Sequence, residues 1–256
     1  MSAAQDTAER HILVSREGAV QIVRFNRPDK KNAITRAMYA ALAGALADGE
    51  ADDAVRCHVI LGQPGAFTSG NDLADFLAFA TTGEMGTEVL DLLRLLPKLE
   101  KPVVSGVDGL AIGIGTTLHL HCDLTFATPR SVFKTPFVDL ALVAEAGSSM
   151  LVPAITGHQR AFALLAMCED FSGEQAADAG LIWKVVAEDD LERAVMDAAK
   201  VLAAKPPKAL ALTKRLMKGD TTALEARIAE EADLFAAQLK SDEARQAFMA
   251  FMARKK

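Results

Sequence analysis

The sequence predicts an α/β fold, on three observations. Short apolar runs alternate with helical segments through the first half of the chain. Turns punctuated by glycine and proline separate them, and after Ala146 the pattern becomes helical almost throughout. Such alternation argues for strands that are stacked or parallel and linked by helical crossovers. The 256 residues, half apolar and 24% charged, suit one large domain, or a domain with a small appended piece, and supply ample core.

Taken in order, residues 12–15 and 20–25 read as two strands of a hairpin around Glu17-Gly18. Asn26-Arg27-Pro28-Asp29 breaks the second strand, and Thr35 is placed to cap an Ala-rich helix running to about Asp48. Residues 57–61 form a short buried strand and 62–70 a loop; 102–107 is a strand leading into a glycine-rich turn, and 123–127 a further strand. Helices are expected at 147–155, 158–167, 173–179, 191–204, 207–218 and 222–239. Pro206-Pro207 divides two of these, since proline is tolerated in a first turn but not in a helix interior. The chain shows no internal repeat and no low-complexity linker.

Composition excludes several function classes. A net charge of -6 with interspersed signs provides no basic stripe for a phosphate backbone, so no nucleic-acid partner is expected. Cys57, Cys122 and Cys168 lack CxxC spacing and read as buried thiols of a reducing compartment, not as metal ligands. Residues 1–10 are polar, without an apolar signal core. The most apolar stretch, 103–126, is interrupted by Asp108, His119, His121 and Asp123, which argues against a membrane span. A cytoplasmic location is therefore expected.

Three segments can carry chemistry. The first is Phe67-Thr-Ser-Gly-Asn-Asp-Leu73, where Gly70 precedes an amphipathic helix whose first amides could meet developing negative charge. Alone, it reads more simply as a helix capped by Asn71 or Asp72. The second, Val107-Asp-Gly-Leu-Ala-Ile-Gly-Ile-Gly-Thr-Thr117, misses the spacing of a dinucleotide fingerprint and leaves a second glycine-cleared helix start. Two such turns aimed at one carbonyl oxygen would make an oxyanion hole.

The third segment runs from Phe133 to Ser149 and holds Glu145 in an apolar run just before a helix. Partial desolvation there would raise its pKa, and the helix N-terminus would keep it ionised at neutral pH, which suits a general base. An acidic residue completing a helix cap accounts for it equally well. Ser148 and Ser149 lack a G-x-S-x-G elbow, and His119 and His121 read as structural, their spacing of two being wrong for a metal pair on a helix.

These segments in this order, with Phe25-Asn-Arg-Pro-Asp-Lys-Lys-Asn-Ala-Ile34 and the stretch 173–186, resemble the crotonase (enoyl-CoA hydratase/isomerase) superfamily over about residues 12–254. The resemblance implies a spiral of ββα units and a C-terminal helical trimerisation region. The expected division is 1–200 for the spiral core and 201–256 for the oligomerisation helices, in a homotrimer or dimer of trimers. It also implies a coenzyme A thioester as substrate and no separate cofactor or metal. The thioester carbonyl would meet the amides of Asn71 and Ile114.

Hydratases of this family place two glutamates at positions that here hold Thr117 and Phe137. Thr135-Pro136-Phe137 and Glu145-Ala146-Gly147-Ser148-Ser149 look like the peroxisomal-type Δ3,Δ2-enoyl-CoA isomerases, in which the matching glutamate is the single base; Ala146 and Leu142-Val143 depart from that pattern. The implied reaction moves a 3-enoyl double bond to C2, a step of fatty acid β-oxidation. The alternatives are another crotonase reaction, such as hydration or thioester hydrolysis, and a catalytically silent CoA-binding protein. Ser69, Gly70, Asn71, Asp72 and Leu73 would contact substrate, as would Phe76 and Phe137. Lys30 and Lys31 are candidates for the coenzyme's phosphates, and Phe251 with Arg254 for a neighbouring subunit's coenzyme. Phe76, Leu77, Phe79 and Leu93 would line an acyl tunnel or simply pack the core.

Overall fold

Strand β1 (Ile12–Glu17) turns at Gly18 into β2 (Val20–Phe25), an antiparallel hairpin. β1 runs past the predicted end at residue 15 because its ladder continues to the Glu17–Val20 pair after burial has ended at Ile12. These coordinates come from a computed structural model that describes residues 10–72, 74–75 and 87–254, Arg254 by its backbone alone. Helix α1 (Arg36–Ala51) starts at Thr35, whose hydroxyl accepts a hydrogen bond from the Met38 amide at 3.3 Å. Then come β3 (Cys57–Leu61), β4 (Ala66–Thr68), α2 (Glu88–Leu95), β5 (Val103–Val107), β6 (Leu110–Ile112), the one-turn helix α3 (Ile114–Thr117), β7 (Leu124–Ala127) and β8 (Val132–Lys134).

The second half holds α4 (Ser148–Thr156), α5 (His158–Leu165), the two-residue β9 (Phe171–Ser172), α6 (Gly173–Asp178) and β10 (Lys184–Val185). It ends in α7 (Leu191–Ala203), α8 (Pro207–Lys218), α9 (Thr222–Leu239) and α10 (Asp242–Arg254). The helices predicted in this half lie where expected to within two residues and α10 is additional; in the first half α1 runs three residues past its predicted end near Asp48, and α2 was not predicted.

A six-stranded sheet runs β1-β2-β3-β5-β7-β10, parallel from β2 onward, and a four-stranded sheet runs β4-β6-β8-β9. The pairs β3–β4, β5–β6 and β7–β8 each give one strand to each sheet, so successive turns of the chain stack as a spiral of ββ units. The second sheet is a departure from the sequence reading, which left β4 inside a loop and β6 inside a glycine-rich turn. Strands of two or three residues are too short to show alternation.

β3 and β5 are buried along their whole length, consistent with the continuous apolar runs of strands covered on both faces. One core lies between the sheets and under α1, α2 and α4; a second lies where Leu191, Val195 and Met196 of α7 cover Val59, Val104 and Phe126. A third is small and joins Phe235 and Leu239 of α9 and Phe248 of α10 to Phe137 and Leu142. That cluster seats the C-terminal helices on the loop leading to Glu145. Among the described residues no helix is long and apolar enough to cross a membrane. Cys57, Cys122 and Cys168 are free; Cys122 is only half-buried, where full burial was expected.

Candidate active site

Two tight turns face each other beyond the ends of β4 and β6. Gly113 sits at φ 59° and ψ -119°, a conformation that only glycine adopts without strain, and it starts α3 at Ile114. Across from it, Gly70 stands at φ 89°, which favours glycine, and a Cβ there would meet the Ile112 carbonyl oxygen at a tight 3.0 Å. A short parallel pairing of Asn71 with Ile34 uses the Gly70 carbonyl and the Asp72 amide. Among the described residues, neither the Asn71 nor the Ile114 amide has a backbone acceptor, which leaves both as donors.

The cap and the donor, which the sequence left as competing readings of this segment, fall on neighbouring residues. Asp72 accepts from the Ala74 amide at 2.9 Å and pairs with Arg27 at 2.5 Å. Burial alone would raise its carboxyl, but Arg27 and the amide hold it below the ordinary carboxylate range. Asn71 sends its side-chain oxygen to the Tyr39 hydroxyl of α1.

A cavity of about 390 Å³ opens against these turns. Lys30, Ser69, Gly70, Asn71, Asp72 and Gly113 form its polar side, and Phe137, Leu140, Leu142, Phe235 and Phe251 its apolar side. Lys31 is exposed and does not reach the described wall. Phe251, expected at a neighbouring subunit's coenzyme, lines the cavity of its own chain. Leu93 is buried in the main core, apart from that wall. Leu73, Phe76, Leu77 and Phe79 lie outside the described residues, as does the Arg254 side chain.

Glu145, 5% exposed, sits in the loop that runs from Leu142 of the cavity wall to α4. Thr117, at the end of α3, donates from Oγ1 to Glu145 Oε1 at 3.4 Å. Thus Thr117, one of the two residues that the resemblance sets at hydratase glutamate positions, bonds to the Glu145 carboxyl, and the other, Phe137, walls the cavity. Burial and, secondarily, the charge of Glu231 push the Glu145 carboxyl up to about 8, with the Thr117 hydroxyl pulling the other way.

That value corrects the expectation that a helix N-terminus would keep Glu145 ionised. The first amides of α4 are taken by another carboxylate: Gly147 N donates to Glu231 Oε2 at 2.6 Å, and Ser149 N to Oε1 at 3.0 Å. The sequence does carry a signal for Glu231. In α9 it stands on the buried stripe of Ile228, Phe235 and Leu239, where helical spacing calls for an apolar residue.

The turn itself is left-handed at consecutive residues, Ala146 at φ 60° and Gly147 at φ 73°. The positive φ explains why the resemblance predicts glycine at position 146. His121 Nε2 donates to the Ala146 carbonyl at 2.8 Å, and burial pushes the His121 ring down to about 4, so it acts as a neutral donor. Burial likewise lowers His119 to about 3; its ring packs on Phe67 and Phe133 with Nδ1 bonded to Ser105. Both histidines are structural, as expected.

The site thus combines two glycine turns whose Asn71 and Ile114 amides have no backbone acceptor among the described residues, a cavity against those turns, and a buried carboxyl bonded to Thr117. The chain belongs to the enoyl-CoA hydratase/isomerase family, which it matches over residues 15–256, and is a crotonase-type enzyme acting on coenzyme A thioesters. Among its relatives, the 1,2-epoxyphenylacetyl-CoA isomerase of Escherichia coli strain K12 is 33% identical over 251 residues, covering 95% of this chain and 96% of that one. Enoyl-CoA delta isomerase 2 of Rattus norvegicus is 34% identical over 250 residues, covering 95% of this chain but 64% of the rat protein. The structure of Pseudomonas aeruginosa OdaA superposes with a TM-score of 0.90 at 43% identity, covering 94% of this chain and 98% of that one. Other relatives carry the names of a hydratase and of dehalogenases.

Proposed function

We propose that the protein is a Δ3,Δ2-enoyl-CoA isomerase with Glu145 as its single base. The observation that carries this reading is the buried Glu145 carboxyl joined through Thr117 to the short helix that starts at Ile114, with Thr117 and Phe137 in place of the carboxylates that hydration requires. Adding water needs one group to activate it and another to deliver a proton. A double-bond shift needs only one carboxylate.

In this reading the thioester oxygen accepts from the Asn71 and Ile114 amides. Ionised Glu145 takes a proton from C2, and the electrons of that bond enter a dienolate held by the two donors. Protonated Glu145 then gives the same proton to C4, leaving the double bond between C2 and C3. Burial makes Glu145 a stronger base than an ordinary carboxylate, nearer the strength that a C2 proton demands. The apolar wall of Phe137, Leu140, Leu142, Phe235 and Phe251 would take the acyl chain, and Lys30 would face the coenzyme's phosphates.

The test is incubation with a trans-3-enoyl-CoA, following the conjugated 2-enoyl thioester by absorbance, beside Glu145→Gln and a 2-enoyl-CoA hydration assay. Conjugation lost by a factor of about 10³ in the variant, with little hydration, is the expected result. Hydration without conjugation would overturn the reading, and so would an active Glu145→Gln protein.

A further inference from the structure

The turn that carries Glu145 is held from outside the spiral by α9. Glu231, 4% exposed, receives the Gly147 amide, the Ser149 amide and the Ser149 hydroxyl, the last at 2.5 Å. Leu224, one face-repeat away on the same helix, packs so closely on the turn that a Cβ on Gly147 would meet its Cδ1 at 2.4 Å. Arg227, between them, donates to the Ser149 hydroxyl at 3.2 Å. One stripe of α9 thus clamps the turn, and further along the same stripe Phe235 enters the cavity wall.

We propose that Glu231 is a positioning residue of the site: it fastens the Glu145 turn to α9 and occupies the α4 amides that would otherwise serve Glu145. The assignment rests on the reading of Glu145 as the base. An alternative anion at that helix start would be Glu145 itself, three residues before Ser148 and bonded to it only through its carbonyl. With Glu231 in place, the α4 dipole is spent on a second negative charge, and Glu145 meets repulsion where a helix end would give support.

The other titratable groups packed around Glu145 do not offset that charge. Tyr39 is held protonated by burial and by Glu145 itself, and His119 and His121 are neutral. Arg227 is engaged with Glu230 at 3.1 Å and with Ser149. Glu231 is therefore the group whose removal acts on Glu145 most directly, both by deleting a charge and by freeing amides.

The experiment is an infrared pH titration of the substrate-free protein, reading the carbonyl band of protonated Glu145 assigned by its loss in Glu145→Gln. In Glu231→Gln the band should disappear at a pH lower than in the parent protein by about one unit or more. A folded Glu231→Gln protein with an unchanged midpoint would overturn the assignment. Should that variant fail to fold, Ser149→Ala strips one donor from Glu231, leaves its charge less compensated and should move the midpoint upward; no movement would equally overturn it.

Rate measurements separate this inference from the reading beneath it. If the protein isomerises, the Glu231→Gln pH–rate profile should move to lower pH with a lower plateau, whereas a purely structural defect would lower the rate at every pH. If neither protein isomerises, the proposed function fails, while the infrared midpoints still decide whether Glu231 acts on Glu145.

Discussion

The Tyr39 hydroxyl donates to the Asn71 side-chain oxygen across 2.5 Å, tying the first turn of α1 to the turn that carries the first proposed oxyanion donor. Tyr39 is 1% exposed, so no water replaces that bond when the hydroxyl is lost. Tyr39→Phe should destabilise the protein by about 1–2 kcal/mol in urea unfolding and should lower kcat several-fold with little change in KM. Unchanged kinetics would show that the Asn71 amide is held without its side chain.

A second expectation concerns pH and stability. The Glu145 carboxyl goes from 4.5 in the unfolded chain to about 8 in the fold, so between those values the folded protein binds a proton that the unfolded chain has released. Stability is thus greatest, for this group, below the unfolded value, and it falls as pH rises through the window, by at most about 1.4 kcal/mol per pH unit. Glu145→Gln removes the dependence. Thermal unfolding at intervals from pH 5 to about 8.5 should show the variant gaining on the parent protein as pH rises. Parallel curves would contradict a buried, proton-holding Glu145.

Gly113→Ala places a Cβ on a backbone at φ 59° and ψ -119°. Space is not the obstacle, since no atom stands within 4 Å of that Cβ; the conformation is. The expected cost is about 1–3 kcal/mol of stability, and the Ile114 amide should swing out of line with a loss of about 10²–10³ in kcat. Denaturant melts and steady-state rates check the two separately.

Phe251 and Phe235 wall the apolar end of the cavity. Phe251→Ala should weaken medium-chain substrates while sparing the shortest acyl thioester, by about 1–3 kcal/mol in kcat/KM across the series. A uniform loss at every chain length would place Phe251 away from the acyl group.

How legible the molecule was in its sequence depended on length and locality. Strands of five or six residues and most longer helices announced themselves through burial period and caps: Thr35 begins α1, and Pro207 begins α8, whereas α2 and α10 were not anticipated. The three-residue strands β4 and β6 did not, although they build the second sheet and aim both donor turns. Of the candidate site, Asn71, Ile114 and Glu145 could be singled out from the sequence because each follows a local cue, a glycine turn or an acid in an apolar run. Tyr39 could not be, since it acts across 32 residues of chain and a buried tyrosine is ordinary until its partner is seen; Glu231 showed only as a charge on an apolar helical stripe, its role hidden until its partners Gly147 and Ser149 were seen.

The parallel pairing of β4 with β6 sets a gauge for the chemistry. Neighbouring strands lie about 4.8 Å apart whatever side chains they bear. Asn71 and Ile114 emerge just past the ends of those two strands, so the gap between the donors is inherited from the backbone lattice. Exchanges at Phe137, Leu142 or Phe235 can recut the cavity for a different acyl group without altering that gap. On the proposed reading, such a socket would keep one grip on a thioester oxygen while the surrounding side chains change, and relatives of this chain carry the names of an isomerase, a hydratase and dehalogenases.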